Sequence, residues 1–110
     1  MTDIFQLNQD SVPWSDYRDP KRADAPVSIR FKALTRNAEG VPPVQYIEYL
    51  AGHTDSVHSH ETGELIFITD GELFVDGAGN GPGSIVFVAA NTPYAFRAGD
   101  QGARFFRVVV

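Results

Sequence analysis

The sequence predicts an all-β domain, and three observations carry that prediction. Apolar and polar residues alternate with a period of two through short runs, most clearly in VSIRFKAL (27–34). There Val27, Ile29, Phe31 and Ala33 share one face. Ten glycines and seven prolines punctuate these runs, which are rich in β-branched residues. No segment sustains helical periodicity, and neither an internal repeat nor a heptad is present. Short strands separated by glycine turns point to a sandwich, a jelly roll or a small barrel.

In chain order, residues 1–25 form a polar, proline-interrupted N-terminal arm in which Trp14 and Tyr17 are the exceptions. One reading is a mobile tail. The other is an arm whose Trp14 anchors on the barrel or on a second subunit, because a tryptophan contributes through burial. The β domain occupies 26–110. Its first strand begins at Val27 and closes in the turn Asn37-Ala38-Glu39-Gly40, after which Pro42-Pro43 introduces the strand VQYIEYL. Further strands are expected at 52–60, 64–69, 72–76, 84–89, 93–97 and 104–110. Asp70-Gly71 reads as a hairpin turn, and 77–83 as a flexible loop.

The bulk numbers narrow the function. A chain of 110 residues suits one domain with one core. A net charge of −5 lacks the basic footprint of nucleic-acid binding and disfavours anionic membranes. The absence of cysteine excludes disulfides, thiolate metal sites and cysteine nucleophiles. The first residues have no basic region and no long apolar run, so neither a signal peptide nor a membrane span is expected, and the expected location is cytoplasmic.

The chemistry concentrates between Gly52 and Gly71, where the spacing is G-x5-H-x-H-x3-E-x6-G over Gly52, His58, His60, Glu64 and Gly71. In a strand His58 and His60 point the same way, and Ser59 points away. Glu61-Thr62-Gly63 is a short polar reversal, and Glu64 opens the apolar strand LIFIT on the face of Ile66 and Ile68. Burying two imidazoles and a carboxylate on an inward face is costly unless something pairs them; a divalent cation does so, and the alternative is a cation-free hydrogen-bonded trio. Two nitrogens and one carboxylate oxygen on one face of a cation leave coordination positions open. Glu61 is expected in solvent. His53, five residues before His58, falls on the opposite strand face and is expected not to be a ligand.

This stretch resembles the first motif of the cupin superfamily, with every defining position present, and the wider likeness runs from about Val27 to Val110. The resemblance implies a double-stranded β-helix, that is, a jelly-roll barrel holding a metal. The family's second motif corresponds to GSIVFVAANTPYAFRAG (83–99), where Tyr94 stands in place of a third histidine. Ala89, Asn91 and Ala98 replace that motif's usual Pro, Gly and Asn. Tyr94 is therefore open to three readings: a phenolate metal ligand, a donor to a metal-bound water or substrate, or a packed aromatic.

The expected function is a metal-dependent enzyme acting on a small oxygen-bearing molecule, with one divalent transition metal (Fe, Zn, Ni or Mn) on His58, His60, Glu64 and Tyr94. Iron would favour dioxygenation; the other metals would favour isomerase, lyase or cyclase chemistry. The alternative is a non-enzymatic module that binds or senses a small ligand, or a storage barrel. Tyr94 and Glu48 are the candidate catalytic residues, Glu48 as a barrel-facing acid alternating with Tyr46 and Leu50. Tyr46, Phe67, Phe87, Phe96 and Phe106 are expected to form the apolar wall, and Arg97, Arg104 and Arg107 to lie on exposed strand faces, the other reading being that they meet an anionic ligand. Strand edges at 27–34 and in FFRVVV suggest a homodimer to which the arm contributes.

Overall fold

The computed structural model describes residues 4–37 and 40–110. Ala38 and Glu39, half of the expected turn after the first long strand, lie outside the described residues. Seven strands are found among the described residues: β1 (Ser15–Asp16), β2 (Ile29–Thr35), β3 (Val44–Tyr49), β4 (Glu64–Val75), β5 (Ala78–Asn80), β6 (Ile85–Val88) and β7 (Phe96–Val109). They pair antiparallel in the order β1-β2-β3-β7-β4-β5, with β6 also on β4. The first half of β4 thus holds β6 opposite β7, and its second half holds β5. No helix among the described residues is long and apolar enough to cross a membrane.

Two pairs of expected strands are each one continuous strand. β4 runs through Asp70-Gly71, where a hairpin turn was expected, and β7 runs through 99–103. Register shifts between Ile68 and Asp70, and between Gly71 and Leu73, mark bulges at that point. Gly71 has φ +71°, and a Cβ there would lie 2.1 Å from the carbonyl oxygen of Gly102, itself at φ +75°. The positive φ that suggested a turn serves instead to bend paired strands past each other. The hairpin turn lies later, at Asp76-Gly77, where both φ values are positive. Part of the expected loop 77–83 is strand β5.

The barrel interior follows from register. Residues opposite each other in a ladder share a face, so Ile29, Tyr49 and Ala103 point inward together, as do Phe31, Ile47, Phe105 and Ile68. Phe105, Ile66 and Leu73 are fully buried, each contributing about 1.5–3 kcal/mol relative to exposure. On β3 this places Gln45, Ile47 and Tyr49 inside and Tyr46 and Glu48 outside.

The expected wall is therefore corrected. Tyr46 stacks on Phe106 on the outer face (centroids 4.4 Å apart), Phe67 is paired with Phe106, and Phe87 is exposed. Of the five expected residues, Phe96 is the one packed in the inner core. The sequence misled because both faces of β3 are covered. The segment before β2 returns along its edge as β1, and Trp14 stacks on Tyr46 with ring centroids 5.3 Å apart. Lys32, Arg30 and Arg104 surround the indole, Lys32 Nζ at 4.7 Å from its centroid.

Candidate functional site

The motif segment was expected as a strand at 52–60 but forms none. It is an irregular ribbon tied down by isolated bridges from Thr54 to Arg97 and from His58 to Tyr94. The second bridge carries reciprocal backbone hydrogen bonds of 3.0 and 2.8 Å. Despite the lost strand, His58 and His60 come together, with ring centroids 5.1 Å apart, and the His58 ring lies 4.5 Å from that of Tyr94.

Glu64 opens β4 and is 1% exposed. Its Oε2 accepts a hydrogen bond from Arg107 Nε, and its Oε1 accepts one from the Tyr94 hydroxyl at 2.8 Å. His60 Nε2 stands 3.6 Å from Oε1. Arg107 also donates to Gln45 Oε1 at 3.0 Å. Arg107, expected on an exposed face, is thus inside the barrel; its register opposite Ile66 and Gln45 puts it there. Burial and the hydrogen bond to Glu64 push the Tyr94 pKa well above the ordinary tyrosine range. The hydroxyl therefore stays protonated and donates to the carboxylate.

The chemistry of this donor set suits a divalent cation. His58 Nδ1 donates to the Ser56 carbonyl at 2.8 Å, which leaves Nε2 as the nitrogen available to a ligand. Two imidazoles bound to one cation at about 2.1 Å have ring centres roughly 4.5–5.5 Å apart, which brackets the observed spacing. Among the described residues, no three His, Cys, Asp or Glu side chains are gathered closely enough to ligate one ion. Glu64 is instead engaged by Arg107 and Tyr94. A carboxylate has about four lone-pair sites, so these two donors leave room for a cation.

His58, His60, Glu64, Tyr94 and Arg107 line one cavity of about 970 Å³. Its apolar side comes from β2, β3 and β7, and Tyr17, Arg18 and Arg22 of the N-terminal arm contribute to its rim. Glu48 is not among its lining residues. It sits on the outer face of β3, where Arg30 Nε donates to it at 2.7 Å and Arg104 Nε at 2.6 Å. Arg97 lies over the Phe74 ring, and Glu61 is exposed. His53 lines the cavity after all, held in a separate hydrogen-bonded group with Ser28 and Asp55. Ser28, Asp55 and the inward Arg107 were not among the residues expected at the site. The one signal for Arg107 was the inward parity of Glu64, whose buried carboxylate calls for a cationic partner.

Comparison with solved structures matches this architecture over nearly the whole chain. An RmlC-like cupin from Ralstonia eutropha JMP134 superposes with a TM-score of 0.78 at 15% identity, over 96% of this chain and 68% of that one. The fold is that of the cupins. The same barrel is found in the polyketide cyclase RemF of Streptomyces resistomycificus, with a TM-score of 0.75 at 20% identity, over 96% of this chain and 78% of the cyclase. It is found again in HppE, solved as its Fe(II) form with an alternative substrate, with a TM-score of 0.74 at 18% identity, over 98% of this chain and 60% of that one. No family model matches the sequence, and no curated protein is detectably similar to it. At these identities the cupin likeness is one of fold, and the site rests on this chain's own residues.

Proposed function

We propose that this cupin barrel is a metal-dependent enzyme for a small oxygen-bearing molecule, with His58, His60 and Glu64 holding one divalent transition metal. The observation that carries the reading is the buried Glu64 carboxylate, 3.6 Å from His60 Nε2 and facing a cavity large enough for substrate. Iron would supply dioxygenase chemistry there, and zinc, nickel or manganese the polarisation that isomerases, lyases and cyclases need. HppE is an iron protein and RemF a cyclase; both supports are fold-level.

The chain's own groups have defined tasks. Arg107 and Tyr94 fix the orientation of Glu64, and the Ser56 carbonyl sets the His58 tautomer. Tyr94 thus acts as a donor to the carboxylate rather than as a phenolate ligand. Ile29, Phe31 and Ile47 give the substrate an apolar bed. Glu48 has no part in the chemistry.

The test is metal analysis of protein purified without added metal, followed by titration with Fe(II), Zn(II), Ni(II) and Mn(II). One equivalent should bind, and affinity should fall as pH is lowered, because a ligating imidazole must be neutral. His58→Ala binding metal as tightly as wild type would overturn the assignment. Oxygen uptake against a panel of diketones, phenols and hydroxy acids then separates dioxygenation from the other chemistries.

A further inference from the structure

A second polar group opens into the same cavity and has no part in the metal reading. Ser28 immediately precedes β2, and His53 and Asp55 lie in the ribbon before His58. Ser28 Oγ is 2.7 Å from His53 Nδ1, and His53 Nε2 is 2.9 Å from Asp55 Oδ1. An ionised carboxylate only accepts, so Nε2 carries the proton shared with Asp55. In the neutral ring Nδ1 is then the acceptor, and the bond to it comes from the Ser28 hydroxyl. Asp55 is held in turn: its Oδ2 accepts from the Tyr49 hydroxyl at 2.8 Å and from the Phe96 amide at 3.4 Å. The backbone is fixed on both sides, Leu50 N–H donating to Ser28 O and Ala98 N–H to His53 O.

From this geometry we infer that Ser28, His53 and Asp55 are a nucleophile, base and orienting carboxylate, and that Ser28 reacts with activated acyl groups in the cavity. A hydroxyl, an imidazole and a carboxylate in hydrogen-bonded series are the arrangement that makes serine nucleophilic. A cross-link that merely fastened the ribbon to β2 would have no need to face a cavity. All three side chains line it, and His53 and Asp55 are only 13% and 11% exposed. The substrate class is an aryl ester or thioester of a small acid, because such leaving groups depart with little proton assistance.

The step balances. Ser28 Oγ bonds to the carbonyl carbon while its proton passes to His53 Nδ1, and Asp55 stabilises the resulting imidazolium through Nε2–H. The bond from carbon to the leaving oxygen or sulfur breaks, and that group leaves with the proton from His53. Water then hydrolyses the acyl-serine, with His53 accepting the proton of water and returning it to Ser28 Oγ.

The experiment treats the full chain, dialysed against EDTA, with an alkyl fluorophosphonate, and reads adducts by intact mass and peptide mapping. Ser28 Oγ displaces fluoride from phosphorus and its proton leaves through His53, giving a single adduct on Ser28. Ser28→Ala should show none, and His53→Gln, checked for folding by circular dichroism, should label at least about 100-fold more slowly. Ser84→Ala, outside the cavity, should label like wild type. No adduct on the folded wild type, labelling spread over several serines, or equal labelling in His53→Gln would each overturn the inference. Because metal is removed beforehand, failure of the metal reading leaves this result untouched.

Discussion

Two buried glutamates sit on opposite sides of the same sheet, and the contrast between them separates architecture from chemistry. Glu48, on the outer face, is held by two guanidinium groups, those of Arg30 and Arg104. Burial pushes its pKa up, but the hydrogen bonds from Arg30 and Arg104 outweigh burial and hold the carboxyl below its ordinary range. Glu64, on the inner face, has one guanidinium, one neutral phenol and an imidazole at 3.6 Å. The first carboxylate is saturated with positive charge and closes a layer; the second retains capacity for a cation and faces a cavity.

The contrast is broken most directly at Glu64. Glu64→Ala strands Arg107 in the interior, where breaking a buried pair costs about 3–5 kcal/mol, and urea unfolding should show that loss together with lost metal binding. Trp14→Ala removes the cover of the outer face, where truncating a well-packed Trp costs up to about 3–5 kcal/mol. Because Trp14 is only partly buried, the loss should fall near the bottom of that range, with metal affinity unchanged. Glu48→Gln should cost about 1–2 kcal/mol, since both arginines remain partly in solvent, and should also leave metal binding intact.

The pH dependence of that last variant sharpens the point. The folded pKa of Glu48 is depressed, so its contribution is complete above the ordinary glutamate range. It is lost as pH falls through the folded value. The stability gap between wild type and Glu48→Gln should therefore hold from about pH 7 to about pH 5 and narrow only below the ordinary glutamate range. The smallest effect belongs to Tyr94→Phe, which deletes one donor to Glu64. Removing that hydrogen bond should cost about 0.5–1.5 kcal/mol and keep one equivalent of metal bound; complete loss of metal would make Tyr94 a ligand.

The β class and the inward direction of Glu64 were legible in the sequence because each depends on local pattern. Glu64 shares parity with Ile66 and Ile68, and all three are buried. What failed was whatever depends on segments distant in sequence. The faces of β3 were inverted because Tyr46 and Glu48 look like core residues, and only the docked arm explains their burial. The hairpin assigned to Asp70-Gly71 failed because a positive-φ glycine is common to turns and bulges, and only Gly102, far along the chain, distinguishes them. Arg107 looked like an exposed strand residue until register set it beside Gln45. His53 was assigned a face from strand parity, which lapses in a segment that is not a strand.

The arm that covers the outer face also reaches the rim of the cavity, and it carries the chain's single tryptophan. Trp14 fluorescence is consequently a native optical reporter of the contact with Tyr46, without any label. Titrating a ligand into the barrel while watching that emission would reveal whether filling the interior is felt on the far side of the sheet.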